Sequence, residues 1–296
     1  MLYLFPLLAV VIWAGNAIVN KLSFGIIAPE AIAFYRWLFA MLVLTPFMLK
    51  PVWKNRRTII PLLPKLATLA SLGMVLNQSL AYFAAATTTA TNMALINSLV
   101  PMVSLFLAVP LLKQKLTPLV FGGTLISLLG LVFMLSHGDM ANLAIGVTEG
   151  DLLLLISAFV YALYGVLLKR WQLPISTWES VYIQGIIAVL MLTPLLFSAS
   201  SVTISTQAAP LILYAAVGAS LIAPWAWING ISKLGAERTS VFFNLMPILA
   251  AILAAIILDE TLAIYHYLGG SMVIMGVMLV QIKPKPKAIT TLACTE

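Results

Sequence analysis

The stretch KPVWKNRRTIIPLLPK, residues 50–65, decides the topology of this chain. It holds five basic residues, and a long apolar run lies on each side of it. Basic residues of membrane proteins gather in the connections on the cytoplasmic side. The stretch therefore predicts a cytoplasmic connection between two membrane-spanning helices.

The rest of the chain repeats this alternation of apolar runs and short polar gaps. Hydrophobic residues make up 62% of the 296 residues and charged residues only 8%, whereas soluble domains contain about 25% charged residues. Each apolar run is long enough to cross the roughly 30 Å hydrocarbon layer as a helix. The predicted fold class is an all-α membrane protein with ten transmembrane helices. The ten runs lie at roughly 3–22, 29–49, 62–85, 90–112, 117–136, 149–169, 177–198, 208–231, 236–258 and 263–283.

Fourteen of the sixteen Lys and Arg residues fall in alternate gaps between the runs or in the tail. The net charge of +7 therefore indicates an orientation in a membrane and not a nucleic-acid partner. The pattern predicts a multi-pass protein of the bacterial inner (plasma) membrane with cytoplasmic N- and C-termini. The fourteen are Lys50, Lys54, Arg56, Arg57, Lys65, Lys113, Lys115, Lys169, Arg170, Lys233, Arg238, Lys283, Lys285 and Lys287.

The two halves of the sequence resemble each other. A displacement of 148 residues aligns Leu44-Thr45-Pro46 with Leu192-Thr193-Pro194, and one of 146 aligns Pro101 with Pro247. Five helices per half force the second copy to enter the membrane from the opposite face, as in many secondary transporters. We therefore predict a first repeat at 1–140, a second, inverted repeat at 148–287 and a cytoplasmic tail at 288–296. Further matches under these displacements are Ala14 with Ala162, Lys21 with Lys169, Gly123 with Gly269, and Gly130 with Gly276.

These matched motifs resemble the EamA repeat of the drug/metabolite transporter superfamily. The first copy contains Pro101, Leu112-Lys113-Gln114-Lys115-Leu116-Thr117, Gly123 and Gly130; the second contains Pro247, Leu258-Asp259-Glu260-Thr261-Leu262, Gly269 and Gly276. Gln114 and Ala263 depart from the Glu and Thr that are usual in the family. The length and the aromatic-rich first and eighth helices are most similar to the YddG-type amino-acid exporters. The resemblance implies export of amino acids or similar metabolites.

Three residues are candidates for gating: Arg36, Pro101 and Pro247. Arg36 lies about two turns inside the second predicted helix, and an ionisable residue at that depth is a functional candidate. We expect its guanidinium either to bind a substrate carboxylate or to hold an outer gate. Alternatively, the side chain extends to the outer headgroups or pairs with Glu30. Pro101 and Pro247 are expected inside helices four and nine, where they would bend the helix during alternating access or form static kinks.

Amide and aromatic side chains near mid-membrane are predicted to line a substrate cavity between the repeats. Trp13, Asn16 and Asn20 share one face of the first helix. Amides can pair with amino and carboxylate groups, and aromatic rings supply apolar walls; alternatively, the amides only join helices. The candidate substrate-binding residues are Trp13, Asn16, Asn20, Asn77, Gln78, Tyr82, Asn97, Tyr161, Tyr164, Trp225, Trp227 and Asn244.

Most remaining charges have structural explanations. Thr148-x-x-Asp151 and Ser176-x-x-Glu179 are predicted capping boxes. Asp259 and Glu260 precede the tenth helix, where acidic charge suits the helix dipole. Lys21 and Lys169 are either gate contacts or membrane anchors.

The sequence contains no phosphate-binding loop for ATP, no mid-membrane carboxylate, and no His-based or metal-ligand set for catalysis. The predicted function is therefore a secondary transporter, not an enzyme, that exports amino acids or related amphiphilic metabolites by alternating access as a uniporter. The alternatives are a proton-coupled multidrug or metabolite exporter and, from other classes, a channel or an intramembrane enzyme. No cofactor or metal is expected. The expected partners are a small-molecule substrate and the lipid bilayer, and the oligomeric state stays open.

Overall fold

The computed structural model describes residues 2–113, 118–139, 147–234, 242 and 245–281, and within these ranges there is no β-strand. Ten helical units, α1 to α10, follow one another along the described chain. Three of them are built from consecutive shorter segments. The units are α1 (Leu4–Ser23), α2 (Pro29–Lys54), α3 (Arg56–Ile59, Ile60–Leu62, Leu63–Ala70, Ser71–Leu76 and Asn77–Ala84), α4 (Ala90–Asn97 and Val100–Leu112), α5 (Pro118–Leu135), α6 (Glu149–Trp171), α7 (Thr177–Phe197), α8 (Ala208–Leu213, Tyr214–Ile222 and Ala223–Leu234), α9 (Met246–Ile257) and α10 (Ile264–Gln281).

Seven of these units are long and apolar enough to cross a membrane, which confirms the all-α membrane class. The seven are α1, α2, α3, α4, α6, α7 and, within α8, Ala208–Gly230. Three shorter apolar helices lie at Phe121–Leu135, Met246–Ile257 and Ile264–Leu279. The ten-span layout with two inverted repeats stays a prediction.

The packing of the helices brings the two halves of the sequence together. α2 packs against α7 and α8, α6 against α3 and α4, and α1 against α8 and α9. A large apolar core joins α2, α7 and α8, and a second core joins α3, α4, α5, α6 and α10. Polar side chains of α2, α3 and α8 therefore meet inside the bundle.

Glycines allow α5 and α10 to make very close contact. A side chain at Gly130 would lie 2.6 Å from the carbonyl oxygen of Gly269, and one at Gly276 would collide with Gly123. Between these two contacts, the Ser127 hydroxyl donates to the Val273 carbonyl at 2.9 Å. A two-fold axis between the helices would produce such reciprocal contacts, because a displacement of 146 residues relates Gly123 to Gly269 and Gly130 to Gly276.

Pro101 lies inside the membrane-spanning unit Ala90–Leu112, as predicted, and Pro247 lies at the described start of α9. α4 is interrupted at Ser98 and Leu99, and Pro101 occupies the first turn of its second segment. Pro247 likewise lies in the first turn of α9. Proline is favoured in a first turn because the amide hydrogen it lacks would have no partner within the helix. The gating role of both prolines stays a prediction.

Candidate functional site

Arg36 lies inside the helix bundle, about 10 Å along α2 from Pro29, with only 3% of its surface exposed. Its Nε donates to Ser220 Oγ at 2.8 Å, and one terminal nitrogen donates to Gln78 Oε1 at 2.7 Å and to the Tyr82 hydroxyl at 3.4 Å. The alternatives of a snorkelling Arg36 or a pair with Glu30 are therefore wrong, because burial and these three bonds direct the side chain inward.

The hydrogen-bond partners of Arg36 are neutral oxygens from α3 and α8. In the part of the chain that the structure describes, no carboxylate lies within ion-pair distance of it. A buried charge is costly unless it is paired, and a guanidinium has a planar donor fork that matches a carboxylate. The site is therefore suited to an anion that arrives with a ligand.

A chain of amides extends the Arg36 site toward α6. Gln78 Nε2 donates to Asn77 Oδ1 at 3.1 Å, and Asn77 Nδ2 donates to Ser157 Oγ at 2.9 Å. The Ser157 hydroxyl donates in turn to the Asn77 carbonyl at 3.0 Å. Arg36, in the first half of the sequence, is thus linked through two side chains to α6 in the second half.

α3 and α8, the two helices that supply the partners of Arg36, each contain a π-helical segment. One segment, Ser71–Leu76, directly precedes Gln78; the other, Tyr214–Ile222, contains Ser220. π-helical turns often occur at functional sites. In the second segment, the Ser220 hydroxyl donates to the Ala215 carbonyl at 2.8 Å, which leaves its lone pairs for Arg36.

Each π-helical segment also receives an indole hydrogen bond. Trp37 Nε1 donates to the Met74 carbonyl at 3.0 Å, and Trp13 Nε1 donates to the Ala219 carbonyl at 3.2 Å. The two tryptophans therefore fix the backbone that carries the partners of Arg36. Trp13, predicted as a substrate contact, also packs against Trp227, with ring centroids 5.6 Å apart.

Tyr161 and Tyr164 stack on each other on α6, with ring centroids 5.6 Å apart. The Tyr164 ring lies against Gly73 in the first π-helical segment, where a side chain at position 73 would come within 2.7 Å of it. The predicted aromatic pair therefore packs onto the same segment that leads to Gln78.

Other predicted residues lie apart from Arg36. Asn16 Nδ2 donates to Asn20 Oδ1 at 3.4 Å within α1, and Trp225 meets Phe5, with ring centroids 5.9 Å apart. Asn97 ends the first segment of α4 beside the interruption. Asn244 lies outside the described residues.

Ser220, Ser157 and the indole of Trp37 take part in the site but were not predicted to do so. Serine is common in apolar helices, so neither serine stands out in the sequence. The hydroxyl of Ser220 becomes important only because α8 brings it next to α2, and sequence spacing does not show this contact.

A second polar cluster surrounds the turn between α3 and α4, on the side predicted to be outer. Lys21 Nζ donates to the carbonyls of Ala85 and Thr88 at 2.9 and 2.7 Å. Thr88 donates to the Asp151 carboxylate at 2.5 Å. Both predicted capping boxes are present at the starts of α6 and α7, so Asp151 caps its own helix and also binds this turn.

Glu260 completes this cluster and corrects an expectation. Its carboxylate accepts from the backbone amides of Ala90 and Thr91, at 2.8 and 3.3 Å, and from the Thr91 hydroxyl at 2.8 Å. Glu260 therefore caps α4, in the other half of the sequence, and not the following α10. Acidic oxygens suit any helix N-terminus, and the fold brings the start of α4 within reach.

This chain is similar to a transporter family and to proteins named as transporters. A model of the EamA-like transporter family matches residues 1–136 and 148–282. An uncharacterized transporter of Archaeoglobus fulgidus is 27% identical over 283 residues, which cover 93% of this chain and 96% of that protein. The uncharacterized transporter YyaM of Bacillus subtilis is 27% identical over 200 residues, 64% of each chain.

A solved crystal structure has a similar fold. It superposes with a TM-score of 0.62 over 93% of this chain and 94% of the other, at 16% sequence identity. At that identity the similarity concerns the fold alone.

Proposed function

Because the chain belongs to the EamA-like transporter family, we propose that this membrane transporter exports amino acids or related small amphiphilic metabolites as a uniporter working by alternating access. The observation that carries the proposal is the buried guanidinium of Arg36, which is bonded to neutral side chains. A substrate carboxylate would supply the missing negative charge. The guanidinium of Arg36 would be held in place by its hydrogen bonds to Gln78, Tyr82 and Ser220.

The surroundings of Arg36 suit a small amphiphile. Amide groups of Asn77 and Gln78 lie next to the guanidinium, and the stacked Tyr161 and Tyr164 offer aromatic walls with polar tips. An amino acid has a carboxylate for Arg36, an ammonium group for an amide oxygen, and a side chain for the rings. A phosphorylated metabolite would require a denser cluster of cations.

Alternating access is supported by the polar cluster at the predicted outer side. Lys21 from the first half binds the turn before α4, and Asp151 and Glu260 from the second half bind the same region. These contacts would join the halves at the outer side when that side is closed. They can be broken and remade, as a gate requires, because they are hydrogen bonds between polar groups.

The test is uptake of individual labelled amino acids into proteoliposomes of the purified protein, with and without a pH gradient. We expect saturable uptake that unlabelled substrate competes away, at the same rate with and without the gradient. Uptake that needs the gradient would favour the proton-coupled alternative. If no member of a broad amino-acid panel is taken up, the proposed substrate class is wrong.

A further inference from the structure

α2 is longer than the hydrocarbon layer is thick. Its 26 residues span about 39 Å, whereas the layer is about 30 Å thick. The first basic residue of the helix after Arg36 is Lys50, followed by Lys54. Because lysine side chains extend to the headgroups, we expect the segment from Lys50 to Lys54 at headgroup depth.

An open trough of about 570 Å³ is lined by Leu49, Lys50, Trp53 and Lys54. Leu49 and Trp53, and likewise Lys50 and Lys54, are spaced by four positions, so each pair lies along one side of α2. Its apolar wall is unusually exposed, at 55% for Leu49 and 68% for Trp53. The lining of the trough is thus almost entirely apolar, and two of its four residues are lysines.

Two further cations follow the trough in sequence. Arg56 donates to the Trp53 carbonyl at 2.9 Å, and its guanidinium lies 5.0 Å from the centre of the Trp53 ring. Arg57 is exposed beside it. The acidic residue that reaches this region, Glu179, accepts from Asn55 and from the Ser176 amide. Lys50, Lys54, Arg56 and Arg57 thus place four exposed cations within eight residues of the sequence.

We propose that this trough binds one anionic phospholipid of the adjacent leaflet. The phosphate would lie between Lys50 and Lys54, with Arg56 and Arg57 nearby, and an acyl chain would follow Leu49 and Trp53. Basic clusters next to a transmembrane helix attract anionic headgroups, and an exposed indole prefers the interface. The site is independent of the transported substrate and of Arg36.

The experiment uses the purified full-length protein in detergent, titrated with dioleoylphosphatidylglycerol or dioleoylphosphatidylcholine. Bound lipid is counted by native mass spectrometry. The test variant is K50Q/K54Q, and the matched control is K169Q/R170Q, which removes two exposed cations at the end of α6. A thermal melt of each variant confirms folding.

We expect the wild type to bind phosphatidylglycerol more tightly than phosphatidylcholine. K50Q/K54Q should weaken phosphatidylglycerol binding by roughly tenfold or more, given the attraction of each basic residue to anionic lipid, whereas K169Q/R170Q should change it less than twofold. Equal effects of the two variants would overturn the proposal, because general charge would then explain binding. Equal binding of phosphatidylglycerol and phosphatidylcholine would also overturn the proposal. An acidic protein segment would then be the next candidate ligand for the trough.

Discussion

Arg36 and Gln184 are related by the displacement of 148 residues that aligns the first helices of the two halves. Both are buried, with 3% and 1% of their surfaces exposed, on the neighbouring helices α2 and α7. Arg36 bonds to side chains of α3 and α8. Gln184 donates only to Ser180 of its own helix, at 2.8 Å, and its Oε1 has no partner among the described residues.

The next residue in each half shows the same contrast. Trp37 donates to the carbonyl of Met74 in a π-helical segment, whereas Gly185 leaves space that Met41 occupies. Arg36 is thus held by polar side chains of other helices, whereas Gln184 lines a cavity of about 170 Å³ together with Ser180 and Tyr164. The comparison indicates that Arg36 is bonded across the two halves of the sequence, whereas Gln184 is bonded within its own helix.

A positive charge at Gln184 should have the largest effect of the substitutions considered, and the effect should be on stability. Q184R would bury a guanidinium beside Ser180 of its own helix, without the acceptors that Gln78 and Ser220 give to Arg36. We expect a loss of stability of about 3 kcal/mol or more, measured as a lower melting temperature in detergent. A melting temperature equal to that of the wild type would show that the two positions have equivalent surroundings.

The substitution R36Q removes the charge of Arg36 and gives this position the same side chain as Gln184. R36Q should weaken apparent substrate affinity about 10- to 100-fold, since hydrogen bonds to a charged group contribute roughly 1.5–3 kcal/mol. The melting temperature should stay the same or rise, because a buried charge is lost. Uptake kinetics and a thermal melt provide both readouts.

The control for R36Q is R57Q, which removes an exposed arginine outside the bundle. It should leave both uptake and melting temperature unchanged. Wild-type uptake by R36Q would contradict a substrate role for Arg36, whatever the melting temperature.

Substitution of Ser220 tests whether the hydrogen bonds that hold Arg36 contribute to substrate binding. S220A removes the acceptor of the Arg36 Nε–H, so the apparent KM should rise about tenfold while S220T restores part of the loss. The matched control is S79A, because the buried Ser79 hydroxyl has no hydrogen-bond partner among the described residues. Equal effects of S220A and S79A would mean that Arg36 does not depend on Ser220.

The smallest effect is expected from Q184L. The substitution removes an amide whose Oε1 makes no hydrogen bond in the described structure, and replacing a poorly satisfied buried polar group by an apolar one of similar size is close to neutral. Uptake should change less than twofold and stability by less than about 0.5 kcal/mol. A strong loss of uptake would show that Gln184 also contributes to transport.

The sequence was sufficient to predict the helical membrane class. Apolar runs and alternating basic gaps arise because a chain in lipid must bond its own backbone and keep its basic residues on the cytoplasmic side. It also identified Arg36, Gln78 and Tyr82 as candidates, because charged and amide groups are costly in apolar helices. These features depend on local composition alone.

The pairing of side chains across the bundle could not be predicted in the same way. Ser220 and Glu260 act on residues more than 160 positions away, and neither contact leaves a local pattern. The start of the second α4 segment at Val100 was also missed, since Pro101 is compatible both with a kink and with a first turn.

Selectivity for the carboxylate group tests the role of Arg36 most directly. Uptake of the best-transported amino acid would be competed by the same unlabelled amino acid and by its carboxamide, in wild type and in R36Q. We expect the wild type to prefer the carboxylate by about tenfold or more, and R36Q to bind the two competitors alike. An unchanged preference in R36Q would contradict the proposal that Arg36 binds the substrate carboxylate.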